Sequence, residues 1–134
     1  MGRWFMKFID ALNIINEEYQ FGEANGIRFF IRFREGKIPH IHFVSKNLKR
    51  SGAILLEKPQ YFPHGNPLKY TDILSKKECL NFNNMLLKPV GQWKTWHKLC
   101  NDWNNSTIDG NKIEIYKNGK LVDVPDFTKI VYPL

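Results

Sequence analysis

Apolar positions along the chain repeat with two different periods. Trp4, Phe5, Phe8, Ile9, Leu12, Ile15 and Tyr19 share one stripe at 100° per residue, which predicts an amphipathic helix over about residues 4–17. Glu23-Ala-Asn-Gly26 then turns the chain, and the period drops to two. Ile27, Phe29, Ile31 and Phe33 alternate with Arg28, Phe30, Arg32 and Arg34, as expected of a strand with one buried face. Glu35-Gly36-Lys37 turns back into a second strand at about 40–44, with His40, His42 and Val44 on one face and Ile41 and Phe43 on the other. A third run, Ala53–Leu56, follows the basic loop from Lys46 to Gly52 and completes an antiparallel meander of three strands.

Pro59, Pro63 and Pro67 interrupt residues 57–71, so neither a helix nor a ladder is expected there, and a loop of this length points to a functional segment. Ser75-Lys-Lys-Glu78 reads as a capping box, opening a helix with Cys79, Phe82 and Leu86 on its buried stripe until Pro89. Trp93, Trp96, Leu99, Cys100 and Trp103, three and four apart, mark another helix whose aromatic face belongs to the core or an interface. Near the C-terminus Asn118-Gly119 supplies the dipeptide of a type I′ turn, pairing Ile115 with Val122 and Ile113 with Val124. Ile130-Val131-Tyr132 suggests one more strand that closes the sheet or serves as a contact edge. The elements predict a single α+β domain over residues 1–134: an N-terminal helix, a three-stranded antiparallel meander, two helices and a C-terminal β-hairpin.

Composition narrows the class. With 43% hydrophobic residues in 134, the chain is too apolar to be disordered and long enough for a core. No apolar run approaches a membrane span, and the N-terminal run is broken by Lys7 and Asp10, so neither a transmembrane segment nor a secretory signal is expected. Cys79 and Cys100 read as reduced core thiols, and the expected compartment is the cytoplasm.

The formal net charge is +7, and it is concentrated. Arg28, Arg32, Arg34, Lys37, Lys46, Lys49 and Arg50 stand against one acid, Glu35, between residues 27 and 50. Such density attracts polyanions, and with Phe30 among the cations it sets out the minimum of a base-stacking surface.

Candidate chemistry is sparse. His40 and His42, two apart on a strand, put both imidazoles on one side, where with His64 or His97 they offer ligands for a divalent metal such as zinc. The competing reading is structural, with Pro39 fixing the strand entrance. His97 and Cys100 are three apart on one helix, but nothing in the sequence lowers the thiol pKa. There is no phosphate-cradling glycine loop, nucleophile elbow or carboxylate pair.

The segment Lys37-Ile-Pro-His40-Ile-His42-Phe-Val44, followed by Ala53-Ile-Leu-Leu56, Leu74-Ser-Lys-Lys, Trp93 and Trp103-Asn104, resembles a small bacterial family of unknown function. That family is defined by a Pro-Pro-His-x-His-Val strand and is often encoded beside toxin-antitoxin-like partners. The resemblance covers about residues 27–104 and implies a compact α+β core, with the N-terminal helix and C-terminal hairpin as additions. Ile38 stands where the family has its first proline.

The leading expectation is a small, basic, non-enzymatic protein of a toxin-antitoxin, phage-defence or counter-defence (inhibitor) system. It would need no cofactor and would engage nucleic acid or a protein or nucleoprotein partner through Arg28, Phe30, Arg32, Arg34, Lys37, Lys46, Lys49 and Arg50. The alternative is a metal-dependent hydrolase or nuclease using His40 and His42, with His64 as a third ligand.

Overall fold

The structure is a computed structural model and describes residues 18–33, 36–47, 49–63 and 72–132. Four strands form an antiparallel meander in sequence order: β1 (Glu18–Ala24), β2 (Ile27–Arg32), β3 (His40–Ser45) and β4 (Ser51–Leu55). Helix α1 (Lys76–Leu86) follows, then the hairpin β5 (Pro89–Val90) and β6 (Trp93–Lys94), helix α2 (Thr95–Ser106), and the hairpin β7 (Tyr116–Lys117) and β8 (Lys120–Leu121).

This corrects the expected architecture. The meander has four strands instead of three, and among the described residues the first helix comes after it. The helix expected over residues 4–17 lies outside the described residues. Tyr19, counted on its stripe, sits in β1 opposite Ile31. Asn25 and Gly26 both have positive φ, 53° and 75°, as a two-residue hairpin turn requires. The alternation of β1 is masked by a bulge between Gln20 and Gly22. There β1 approaches α1 so closely that a Cβ on Gly22 would lie 2.4 Å from Met85 Sδ.

The inner face of the sheet and the two helices enclose the core. Ile27, Phe29, Ile31, Ile41, Phe43 and Ile54 meet Phe82, Leu86, Trp96, Leu99 and Trp103. Phe29 and Phe82 stack at 4.7 Å, and Phe127 meets Phe82 edge-on at 5.4 Å. The Ser75–Glu78 capping box starts α1: Glu78 N–H donates to Ser75 Oγ at 3.1 Å and Ser75 N–H donates to Glu78 at 2.8 Å.

Two ladder contacts cross the proline-rich segment, against expectation. Tyr61 bridges Ile54 antiparallel and Gln60 bridges Val131 in parallel, because prolines at 59 and 63 leave the N–H groups of Gln60, Tyr61 and Phe62 free to pair. The prolines punctuate the segment without excluding it from the sheet edge. The last hairpin turns at Asn118-Gly119, with φ of 53° and 78°. Val122 N–H donates to Ile115 O as the turn rule requires, but Ile113 is bonded on both main-chain atoms by the Asn104 side-chain amide, at 2.7 Å each.

Candidate functional site

The outer face of the sheet carries the histidines. Period two places His40 and His42 beside Phe30, with His42 opposite Phe30 and Ala53. Phe30 and His42 stack at 5.2 Å, His42 meets His40 edge-on at 4.8 Å, and His40 lies 4.9 Å from Phe62. Pro39 positions the start of β3, its carbonyl accepting from Leu56 N–H. His40 Nδ1 is 2.7 Å from Ile38 O, so this nitrogen carries the proton and donates. His64 lies outside the described residues, within which no group of three His, Cys, Asp or Glu is placed to hold a metal ion.

Arg28 and Arg32 flank the same aromatic ring. Their guanidinium carbons lie 4.5 and 5.4 Å from the Phe30 centroid, and both reach Glu18, Arg28 through a short hydrogen bond and Arg32 at 3.5 Å. Phe30 is only 4% exposed. Its faces are taken by two cations and an imidazole, so the expected stacking position for a nucleobase is already filled.

Lys46, Lys49 and Arg50 gather at one end of the sheet. The β1–β2 turn and the β3–β4 loop border an open groove of about 590 Å³ lined by Asn25, Gly26 and Ile27 on one side and Ser45, Lys46, Asn47, Lys49 and Arg50 on the other. Lys46 N–H donates to Gly26 O at 2.7 Å, tying turn to loop. Asn47 Oδ1 accepts from Ser45 Oγ and from Lys49 N–H, while Ser45 Oγ accepts from Arg50 N–H; the loop is therefore braced from within.

Its three cations differ. Arg50 is held by both oxygens of Glu78 at 2.8 and 3.0 Å and by Ile73 O at 2.9 Å, which keeps the Glu78 carboxyl below its ordinary pKa. Lys46 reaches Glu23 at 2.9 Å from a side chain that is 73% exposed, and that hydrogen bond raises its pKa. Lys49 and Lys37 make no ion pair among the described residues. Arg34 lies outside them.

The other reactive groups are used structurally. His97 Nδ1 accepts from Lys94 N–H at 3.0 Å and Nε2 donates to Val122 O at 2.8 Å, leaving no ring nitrogen for Cys100. Burial pushes the Cys79 and Cys100 thiols up, opposite to what a nucleophile requires. Among the described residues no helix is long and apolar enough to cross a membrane.

Two features escaped sequence reasoning. One is the set of carboxylates, Glu18, Glu23 and Glu78, that meet the basic segment from elsewhere in the chain. Two of the three precede it within ten residues, and their antiparallel register opposite Arg32 and Arg28 is the signal that finds them. The other is the link between Trp93 and Tyr116, which no periodicity announces. The chain matches no protein-family model, no curated protein and no solved structure.

Proposed function

We propose that the protein acts by binding, and that the groove at the basic end of the sheet takes the phosphates of nucleic acid, free or within a nucleoprotein. The observation that carries this reading is the groove itself: Lys46, Lys49 and Arg50 border it, and among the described residues no carboxylate lines it. Arg50 is fixed by Glu78, Lys49 has no competing acid, and the Lys46–Glu23 pair is an exposed one that a phosphate can replace at little cost. The resemblance of the Lys37–Val44 strand to a family encoded beside toxin-antitoxin-like partners supports a toxin-antitoxin, phage-defence or counter-defence setting. A basic subunit there works by occupying a partner or its nucleic acid.

The test is a salt titration of binding to duplex DNA. Three phosphate contacts predict a log-log slope of about −2.7, and Lys46→Glu with Lys49→Glu should reduce it to about −0.9. Affinity and slope unchanged in the double variant would overturn the groove as the site.

A second reading, a metal-dependent hydrolase or nuclease, draws on His40. With Nδ1–H held by Ile38 O, Nε2 is the basic nitrogen of its neutral ring, as in ligating histidines, and His42 joins it on the same face. A catalytic zinc uses three protein ligands, so this reading requires one beyond the pair. Elemental analysis separates the two: stoichiometric metal that is lost in His40→Ala/His42→Ala would favour the hydrolase.

A further inference from the structure

Helix α2 is flanked by two short hairpins, β5–β6 before it and β7–β8 after it, and one hydrogen bond joins them. Trp93 Nε1–H donates to Tyr116 Oη at 3.0 Å. The two tryptophans of α2 behave differently: Trp96 and Trp103 are buried and donate to the main-chain oxygens of Leu56 and Asn111. Trp93 is half-buried, and its N–H goes to a tyrosine that is 52% exposed. The bond fixes two aromatic rings at the surface, with their polar tips satisfied by one another. Val90, opposite Trp93 in register, is exposed as well.

Four lysines lie in or next to the two hairpins that carry this pair, with Lys94, Lys117 and Lys120 on the strand faces opposite the rings. Lys88 and Lys94 flank the first hairpin, and Lys117 and Lys120 close the second, directly opposite one another in register. None makes an ion pair among the described residues, whereas Arg28, Arg32, Lys46, Arg50 and Lys98 each meet a carboxylate. No Asp or Glu occurs within residues 88–94 or 116–121; the nearest acids of the second hairpin, Glu114 and Asp123, lie beyond its paired ends. Like charges facing across a ladder oppose hairpin formation. Lys117 and Lys120 therefore carry a stability penalty for which the fold offers no return.

We infer that the Trp93–Tyr116 surface is a stacking platform for single-stranded nucleic acid. Bases stack on the exposed parts of the two rings, and phosphates pair with Lys88 and, around the hairpin edges, with Lys94, Lys117 and Lys120. Every base has a π face, so stacking of this kind tolerates any sequence. The platform is separate from the sheet-end groove in sequence and in lining residues, and it stands or falls independently of it.

The probe is a fluorescein-labelled oligothymidylate, titrated into the full chain while anisotropy and tryptophan emission are followed across a salt series. Four lysine contacts predict a slope of about −2.8, falling to about −1.4 in Lys117→Ala/Lys120→Ala. Trp93→Ala should weaken binding about 5- to 150-fold, the value of one stacked base, while Trp93→Phe retains most of the affinity. Lys120→Glu should raise the melting temperature by about 1–4 °C and yet weaken binding, two shifts of opposite sign that misfolding does not produce. Wild-type affinity in both Trp93→Ala and Lys120→Glu overturns the platform. So does uptake of polyglutamate in preference to the oligonucleotide, which would mark a protein-docking surface. Lys46→Glu/Lys49→Glu separates the two sites: if only it loses oligothymidylate binding the platform fails, whereas loss confined to Trp93→Ala and Lys120→Glu supports the platform and leaves the groove to its own test on duplex DNA.

Discussion

The two cationic surfaces of this protein are built in opposite ways. At the sheet end, residues 27–50 concentrate positive charge along the chain, but folding brings Glu18 to Arg28 and Arg32, Glu23 to Lys46 and Glu78 to Arg50. At the hairpins around α2 the lysines are scattered in sequence, folding joins the two hairpins through Trp93 and Tyr116, and none of Lys88, Lys94, Lys117 and Lys120 makes an ion pair among the described residues. The groove of the first surface is concave, and Phe30, on the neighbouring sheet face, is sealed beneath two arginines. The second carries two hydrogen-bonded rings at the surface. Charge density counted along a chain therefore overstates the field at one site and misses it at the other, because a field depends on which charges are near in space.

The strongest way to break the comparison is to ask whether Phe30 is sealed. Buried under Arg28, Arg32 and His42, it should cost about 3–5 kcal/mol on Phe30→Ala in a urea denaturation, the range for a core aromatic. A loss below about 1 kcal/mol would make it an accessible ring and return base stacking to the sheet. Next is the anchor of the second hairpin. Asn104→Ala strips both main-chain partners from Ile113 and should cost about 1–3 kcal/mol, with faster amide exchange at Ile113 and Val122. Unchanged exchange there would mean that the hairpin does not need the clamp.

Arg50 comes third and sharpens the distinction between a groove cation fixed by an acid and one that has none. Arg50→Ala should cost about 1.5–3 kcal/mol at neutral pH, because Glu78 is left without its partner. Folding lowers the Glu78 pKa, so the stabilisation is complete above the ordinary glutamate value of about 4.3 and lost as pH falls through the lowered folded value. Melting curves of wild type and variant should converge in acid; a gap that persists there would assign the cost to packing. The smallest effect belongs to Lys49→Ala. Stability should change by less than about 0.5 kcal/mol while duplex affinity falls, read by denaturation and salt titration of the same samples.

Much of the fold was legible, and the misses have identifiable causes. Strand β2 and the faces of β3 follow from period two, the start of α1 from Ser75 and Glu78, and the last turn from Asn118-Gly119. The same Asn-Gly signal at residues 25–26 marked the first hairpin. The strand before that turn is not legible, because the bulge at Phe21 breaks the alternation of β1 and Tyr19 falls on a helical stripe. Trp93 fits the spacing of α2 but lies one residue before its N-cap, Lys94, in β6. Of the candidate site, the pairing of His40 and His42 on one face was readable, since it is a property of any extended chain.

By itself the sequence determined the local geometry of this protein: the periods, turns and cap that make its strands and helices, and the inventory of cations, aromatics and histidines. Those are set by interactions over a few residues. Tertiary structure alone decided which arginines are neutralised, that Phe30 is closed to ligands, that both nitrogens of His97 are occupied, and that Trp93 meets Tyr116. Each of these depends on residues up to 28 apart in sequence brought within hydrogen-bond or stacking distance, and such contacts leave no periodic mark in the chain.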